Sequence, residues 1–235
     1  CFSSKRMLIR IGMEEDPGVL YTAWALDFPG CFAYGNDQSE ALLNLPRELL
    51  EFDYWMRVHT EEPWFMLDGM DFHVDETFTV FRIQHEGHEY EVNAFFQDDL
   101  RLLTSTEIEQ TMHVLRWQQE ELLAGIEFLT PDQLNLIREG QRWSILGIVR
   151  HVALAELWYL GNLGLATPRL SSDEDPLSAI EKSYLAIVDS LPGLIGDKRQ
   201  TEHAQECWTA RKIVRRLLWH RRDHIDHIRQ LLGVI

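Results

Sequence analysis

The hydrophobic period of the chain changes once, near residue 100, and that change restricts the fold more than any single motif does. From Thr104 onward apolar residues recur at helical spacing in four long runs: TSTEIEQTMHVLRWQQEELLAGIEFL, WSILGIVRHVALAELWYLGNL, PLSAIEKSYLAIVDSL and TARKIVRRLLWHRRDHIDHIRQLL. Punctuation agrees with the period. Thr104 and Glu107 stand at capping-box spacing, and Thr130-Pro131-Asp132-Gln133 opens a short helix, DQLNLIREG, that ends at Gly140. Ser144 starts the second long run and Pro192-Gly193 closes the third. Four long helices with connections of variable length predict an all-α four-helix bundle over residues 101–235.

Residues 1–100 read differently. KRMLIRIGME and GVLYTAWALDF are strand-like and are separated by the turn-prone EEDPG; PGCFAYG adds a short third strand. Asn36 or Asp37 can cap a helix through EALLNLPRELLEFDYWMRV, with Leu42, Leu43, Leu45, Leu49, Leu50 and Phe52 as its stripe. Pro46 should kink or divide that helix. TFTVFRIQ and EYEVNAFF, joined through HEGHE, read as a hairpin. The predicted order is β-β-β-α-β-β, a small α+β domain.

Charge divides at the same place. Residues 1–100 hold 6 Lys and Arg against 20 Asp and Glu, a net −14, whereas residues 101–235 hold 16 against 18, a net −2. So acidic a first half repels phosphate backbones, and no nucleic-acid partner is expected; a basic protein partner is compatible with it. No apolar run approaches the ~20 residues of a membrane span. The opening CFSSKRMLIRIG has no apolar stretch of the signal-peptide kind, so a cytoplasmic chain is expected. Cys1, Cys31 and Cys207 are too far apart for a CxxC metal pair and too few for a disulfide framework. GxGxxG and GK[ST] phosphate loops are both missing.

The chemistry-bearing residues are the histidines. At ~100° per residue, His220, His224 and His227 share a face about 60° wide that adjoins Leu217, Ile228 and Leu231. Arg222 and Arg229 fall opposite, on the side expected to be solvated. An i, i+4 histidine pair can hold a divalent ion, but a third ligand must come from another helix. His151, on a stripe with Ile148 and Trp158, is the leading candidate, and His113 on the first helix the reserve. His203 reads as a capping or solvent-facing residue, and His73, His85 and His88 as strand and loop positions. Glu156 reads as an acid/base or a solvated charge, and Trp117 and Trp158 as pocket lining or core. By spacing alone, histidines held in a core or bonded to ordinary partners are the favoured reading.

WSILGIVRHVALAE, followed after a third helix by WTARKIVRRLLWHRRDHIDHIRQ, resembles the DinB/YfiT-like family of metal-binding four-helix bundles over about residues 104–233. The resemblance implies a divalent ion, nickel or zinc, on His151, His220 and His224, with His227 as a supporting or alternative ligand. It also implies a small-molecule substrate, and relatives that are thiol-dependent transferases or isomerases using a low-molecular-weight thiol. LYTAWALDF with FPGCFAYGNDQSEALLNLPREL resembles the HicB-like antitoxin fold over about residues 7–95. No ribbon-helix-helix or helix-turn-helix segment follows it. Two functions are therefore expectations: a metal-dependent thiol S-transferase or hydrolase, or an interaction protein whose acidic module docks a basic partner while the bundle makes a homodimer.

Overall fold

The structure is a computed structural model, and it describes residues 6–61 and 69–233. The chain divides into two compact units, Cys1–Arg101 with Glu202–Cys207, and Leu102–Thr201 with Trp208–Ile235. No helix among the described residues is long and apolar enough to cross a membrane.

The first unit is built on strands β1 (Met7–Asp16), β2 (Leu20–Ala25) and β3 (Phe32–Gly35), helix α1 (Gln38–His59), and strands β4 (Met70–Thr79), β5 (Phe81–His85) and β6 (His88–Val92). Four strands form one sheet in the order β3-β2-β1-β4, with β4 parallel to β1 and the other pairs antiparallel. Period-2 geometry puts Ile9, Ile11 and Met13 of β1 on one face, and all three are buried. Helix α1 packs on β2 and β3. Its N-cap is Asp37, whose side chain accepts from the Glu40 N–H at 2.9 Å. Gly35 lies where β3 turns into this helix. A Cβ there would stand 2.2 Å from the Ala41 backbone nitrogen, so only glycine fits.

Three expectations need correction here. A third strand follows the helix, because residues 77–79 of TFTVFRIQ belong to β4 and only 81–85 to the hairpin with β6. Strand β4 lies at the sheet edge and is largely exposed, yet Met70, Phe72, Val74 and Phe78 fall on alternate positions, a strand signal that the expected order left out. Residues 93–96 are not strand; they lead into a single 3-10 turn, Gln97–Leu100. Helix α1 runs unbroken through Pro46. Its buried stripe is Ala41, Leu45, Leu49, Phe52 and Met56, so packing on both sides of the proline holds the helix together, whereas Leu43 and Leu50 face solvent.

The second unit contains α2 (Ser105–Ile126), α3 (Pro131–Asn135), α4 (Ile145–Asn162), α5 (Pro176–Ser190) and α6 (Ala210–Leu232). The long helices α2, α4, α5 and α6 make a four-helix bundle: α4 lies against α5 and α6, and α2 against α6. Leu122, Ile126, Ile148, Val149, Val152, Ile180, Ile225 and Ile228 share one core. Caps fall where side-chain oxygens can satisfy first-turn N–H groups. Thr104 and Thr130 close capping boxes with Glu107 and Gln133, and Ser144, Asp175 and Thr209 cap α4, α5 and α6. Helix α3 is shorter than expected and ends at Asn135; Leu136 and Ile137 beyond it are exposed and give the turn nothing to pack against. Strands β7 (Gln200–His203) and β8 (Glu206–Thr209) pair as a hairpin that no alternation in the sequence announces.

Candidate metal centre

Helix α4 contributes His151 to the bundle interior and α6 contributes His220 and His224 one turn apart. One nitrogen from each of the three lies within 4.8 Å of the other two. His220 Nε2 is central, 3.2 Å from His151 Nε2 and 3.1 Å from His224 Nε2. Two nitrogens bonded to one tetrahedral zinc at ordinary Zn–N lengths stand about 3.3 Å apart. The spacing therefore fits a shared cation.

Protonation fits as well. Burial, helped by the nearby His224, His151, Arg216 and Arg221, holds the His220 imidazolium pKa well below 6.5. Burial together with His151 and His227 brings His224 down to about 3. Burial and the Arg142 charge lower His151 in the same direction. All three rings are thus neutral at pH 7, which is the form that ligates a metal.

Aromatic packing sets the ring orientations. Trp143 stacks on His151 at 4.5 Å between centroids and 20° between planes. Tyr159 meets His220 edge-on at 5.8 Å, and Trp219 lies against it at 5.7 Å. The Nδ1 atoms of His220 and His224 are buried and have no hydrogen-bond partner. Metal-bound histidines usually donate that N–H to a carboxylate or carbonyl; here stacking takes over the orienting role.

Of the other expected residues, His227 lies beside the trio, with Nε2 2.8 Å from Gln141 Oε1, and supports the site's rim. His113 is not part of the group; its ring stacks on Trp117. Trp117 is buried in the bundle, and Trp158 stands edge-on to Trp208 at 5.3 Å, partly exposed. His203 is neither cap nor free surface; its ring packs against His85 at 5.0 Å and Tyr90 at 5.6 Å. His73, His85 and His88 lie in β4, β5 and β6. Sequence reasoning missed Trp143 and Gln141. Their only signal is position, in the QRW run just ahead of the Ser144 cap and about two helical turns before His151.

Polar residues next to the histidines were also misplaced. Glu156 is neither solvated nor open to a substrate: it is fully buried, and Arg221 Nε and Nη2 donate to its two oxygens at 2.7 Å each. Arg221 also donates to Gln119 Oε1, and Ser183 Oγ donates to Glu156. One residue from each long helix therefore meets in a single network. Arg222 and Arg229, expected in solvent, both reach Glu121 on α2, the first at 3.2 Å.

Imidazoles held below their ordinary basicity make the fold less stable in acid. In the unfolded chain a histidine titrates near 6.5, so between that pH and the lower folded values the unfolded state binds more protons. Stability from His224 is complete above about pH 6.5 and falls as pH drops toward 3. For the metal-free protein we expect a loss of roughly 2 kcal/mol from this residue between pH 7 and pH 5. Urea unfolding of wild type and His224→Gln at both pH values isolates it; equal pH slopes in the two proteins would contradict the assignment.

No family model matches the chain, and no curated protein matches it. Among solved structures it is similar to YfiT from Bacillus subtilis, described as a probable metal-dependent hydrolase with an unusual four-helix bundle topology. Identity is 20%, over 56% of this chain and 89% of that one, with a TM-score of 0.45. It is also similar to TT2238, a four-helix bundle protein, at 20% identity over 52% of this chain and 98% of that one, with a TM-score of 0.43. At those scores the bundle and its three-histidine group stand on their own geometry.

Proposed function

We propose that the bundle binds one divalent metal ion, zinc or nickel, through His151, His220 and His224, and that the protein is a metal-dependent enzyme of the hydrolase or thiol S-transferase kind. The observation that carries this reading is the convergence of three neutral imidazoles, His220 buried and His151 and His224 half-buried, on one point, at 3.1 and 3.2 Å between Nε2 atoms. Surface histidines do not converge in this way, and core histidines bonded to ordinary partners have no need to face one another. Three protein ligands leave a position open for water or a small-molecule thiol. A metal held there supplies Lewis acidity and lowers the pKa of what it binds. The chain's own residues do the rest: Trp143 and Tyr159 hold the rings, Gln141 with His227 closes one side, and Arg221 with Glu156 fixes α6 against α4.

X-ray absorption at the zinc edge of the loaded full-length chain tests the ligand set. The expected result is three imidazole nitrogens at about 2.0–2.1 Å and no sulfur. A sulfur scatterer near 2.3 Å, or a single imidazole, would contradict the site.

A further inference from the structure

A divalent cation on three neutral imidazoles keeps its whole charge, because no carboxylate belongs to the group of candidate ligands. A charge in a half-buried site is costly unless an anion accompanies it. The residues just before α4 add more positive charge. The Arg142 guanidinium lies 4.6 Å from the Trp143 ring centroid, and that ring stacks on His151.

Elsewhere in the bundle most cations are matched. Arg221 is bound to Glu156, Arg222 and Arg229 to Glu121, Arg211 to Glu107, Arg199 to Asp197 and Lys182 to Glu174. Arg150 donates to the carbonyls of Glu174 and Ser171. Arg142 has no carboxylate partner among the described residues. Arg138 belongs to the same turn, since its carbonyl accepts from the Gln141 N–H, and its buried Nη1 has no hydrogen-bond partner. The chain has 38 acidic residues against 22 Lys and Arg, so carboxylates are in ample supply. Glu139, between the two arginines in sequence, is exposed and pairs with neither. Arg142, next to the ring that stacks on His151, with Arg138 in the same turn, suits recognition of an oxyanion near the three histidines, since the guanidinium fork matches carboxylate and phosphate oxygens.

We propose that the substrate of the three-histidine centre carries an oxyanion, a carboxylate or a phosphate, and that Arg142 holds it beside His151, with Arg138 as the second cation of the loop. This inference rests on the metal-site reading. The anion group is a recognition handle, so Arg142 acts on substrate affinity and orientation.

The test uses the full-length chain loaded with cobalt(II), whose visible bands report on ligands entering the site. Acetate, inorganic phosphate and neutral acetamide are titrated separately at constant ionic strength into wild type, Arg142→Gln and Arg142→Lys. The expected result is a saturable band shift with acetate or phosphate and none with acetamide. Arg142→Gln should weaken it roughly tenfold or more, and Arg142→Lys should restore part of the loss. Both variants should bind cobalt one-to-one with the wild-type anion-free spectrum. Which anion responds identifies the handle. An equal response to acetamide, no response to either anion, or wild-type affinity in Arg142→Gln would overturn the proposal. Failure of wild type to bind cobalt would overturn the metal reading itself, a distinct outcome that removes this proposal with it.

Discussion

Glu156→Gln lowers the unfolding free energy of the bundle by roughly 3–5 kcal/mol, because it leaves the buried Arg221 guanidinium without its counter-charge. Both side chains are completely removed from solvent, so neither water nor counter-ions can take over. The network draws Gln119 from α2, Glu156 from α4, Ser183 from α5 and Arg221 from α6 to one place. It therefore ties all four long helices at one level. Removing the whole ion pair is a different experiment: Glu156→Leu with Arg221→Met takes away both charges and substitutes apolar volume, which often costs little. We expect the double variant to be closer to wild type than Glu156→Gln is. Urea unfolding of the three proteins decides it. A Glu156→Gln protein within about 0.5 kcal/mol of wild type would mean that the pair contributes nothing.

That network also bears on the histidines. Arg221 follows His220 directly, and Glu156 lies five residues past His151 on α4. The register of α6 on α4, which brings the three Nε2 atoms together, is the same register that pairs the charges. One contact set thus fixes both.

Local signals were easy to read in the sequence because they are local. The caps at Thr104, Thr130 and Ser144 depend on residues three positions apart, and the four long helices on a period that any window of the sequence shows. The shared face of His220 and His224 follows from rotation per residue alone, and the structure brings His151 to it. Other features depend on pairings across elements. Arg221 and Glu156 both look like ordinary surface charges until the α4–α6 register is known. Trp143 became part of the site only when the loop before α4 turned its ring onto His151. The β7–β8 hairpin has only four residues to a strand, too few for a period to show, whereas edge strand β4 does place Met70, Phe72, Val74 and Phe78 on alternate positions. In α1, Leu43 and Leu50 look like core by composition, but the face that packs is set by Ala41, Leu45 and Leu49.

The second large effect is metal-linked stability. A ligand that binds only the folded bundle adds about 2.7 kcal/mol when its free concentration is a hundred times the dissociation constant. For a chain of this size that is a rise in melting temperature of roughly 5–10 °C. His220 is the residue whose loss should abolish it, because its Nε2 is the atom shared between the other two. His113→Ala should keep the full rise, since that ring stacks on Trp117 outside the trio. The most direct measurement is thermal unfolding with and without added zinc, alongside bound-metal analysis, for wild type, His220→Ala and His113→Ala. The account predicts one tightly bound zinc per chain and the melting rise in wild type and His113→Ala, and neither in His220→Ala. Zinc stabilisation that survives in His220→Ala, or that wild type lacks, would contradict it.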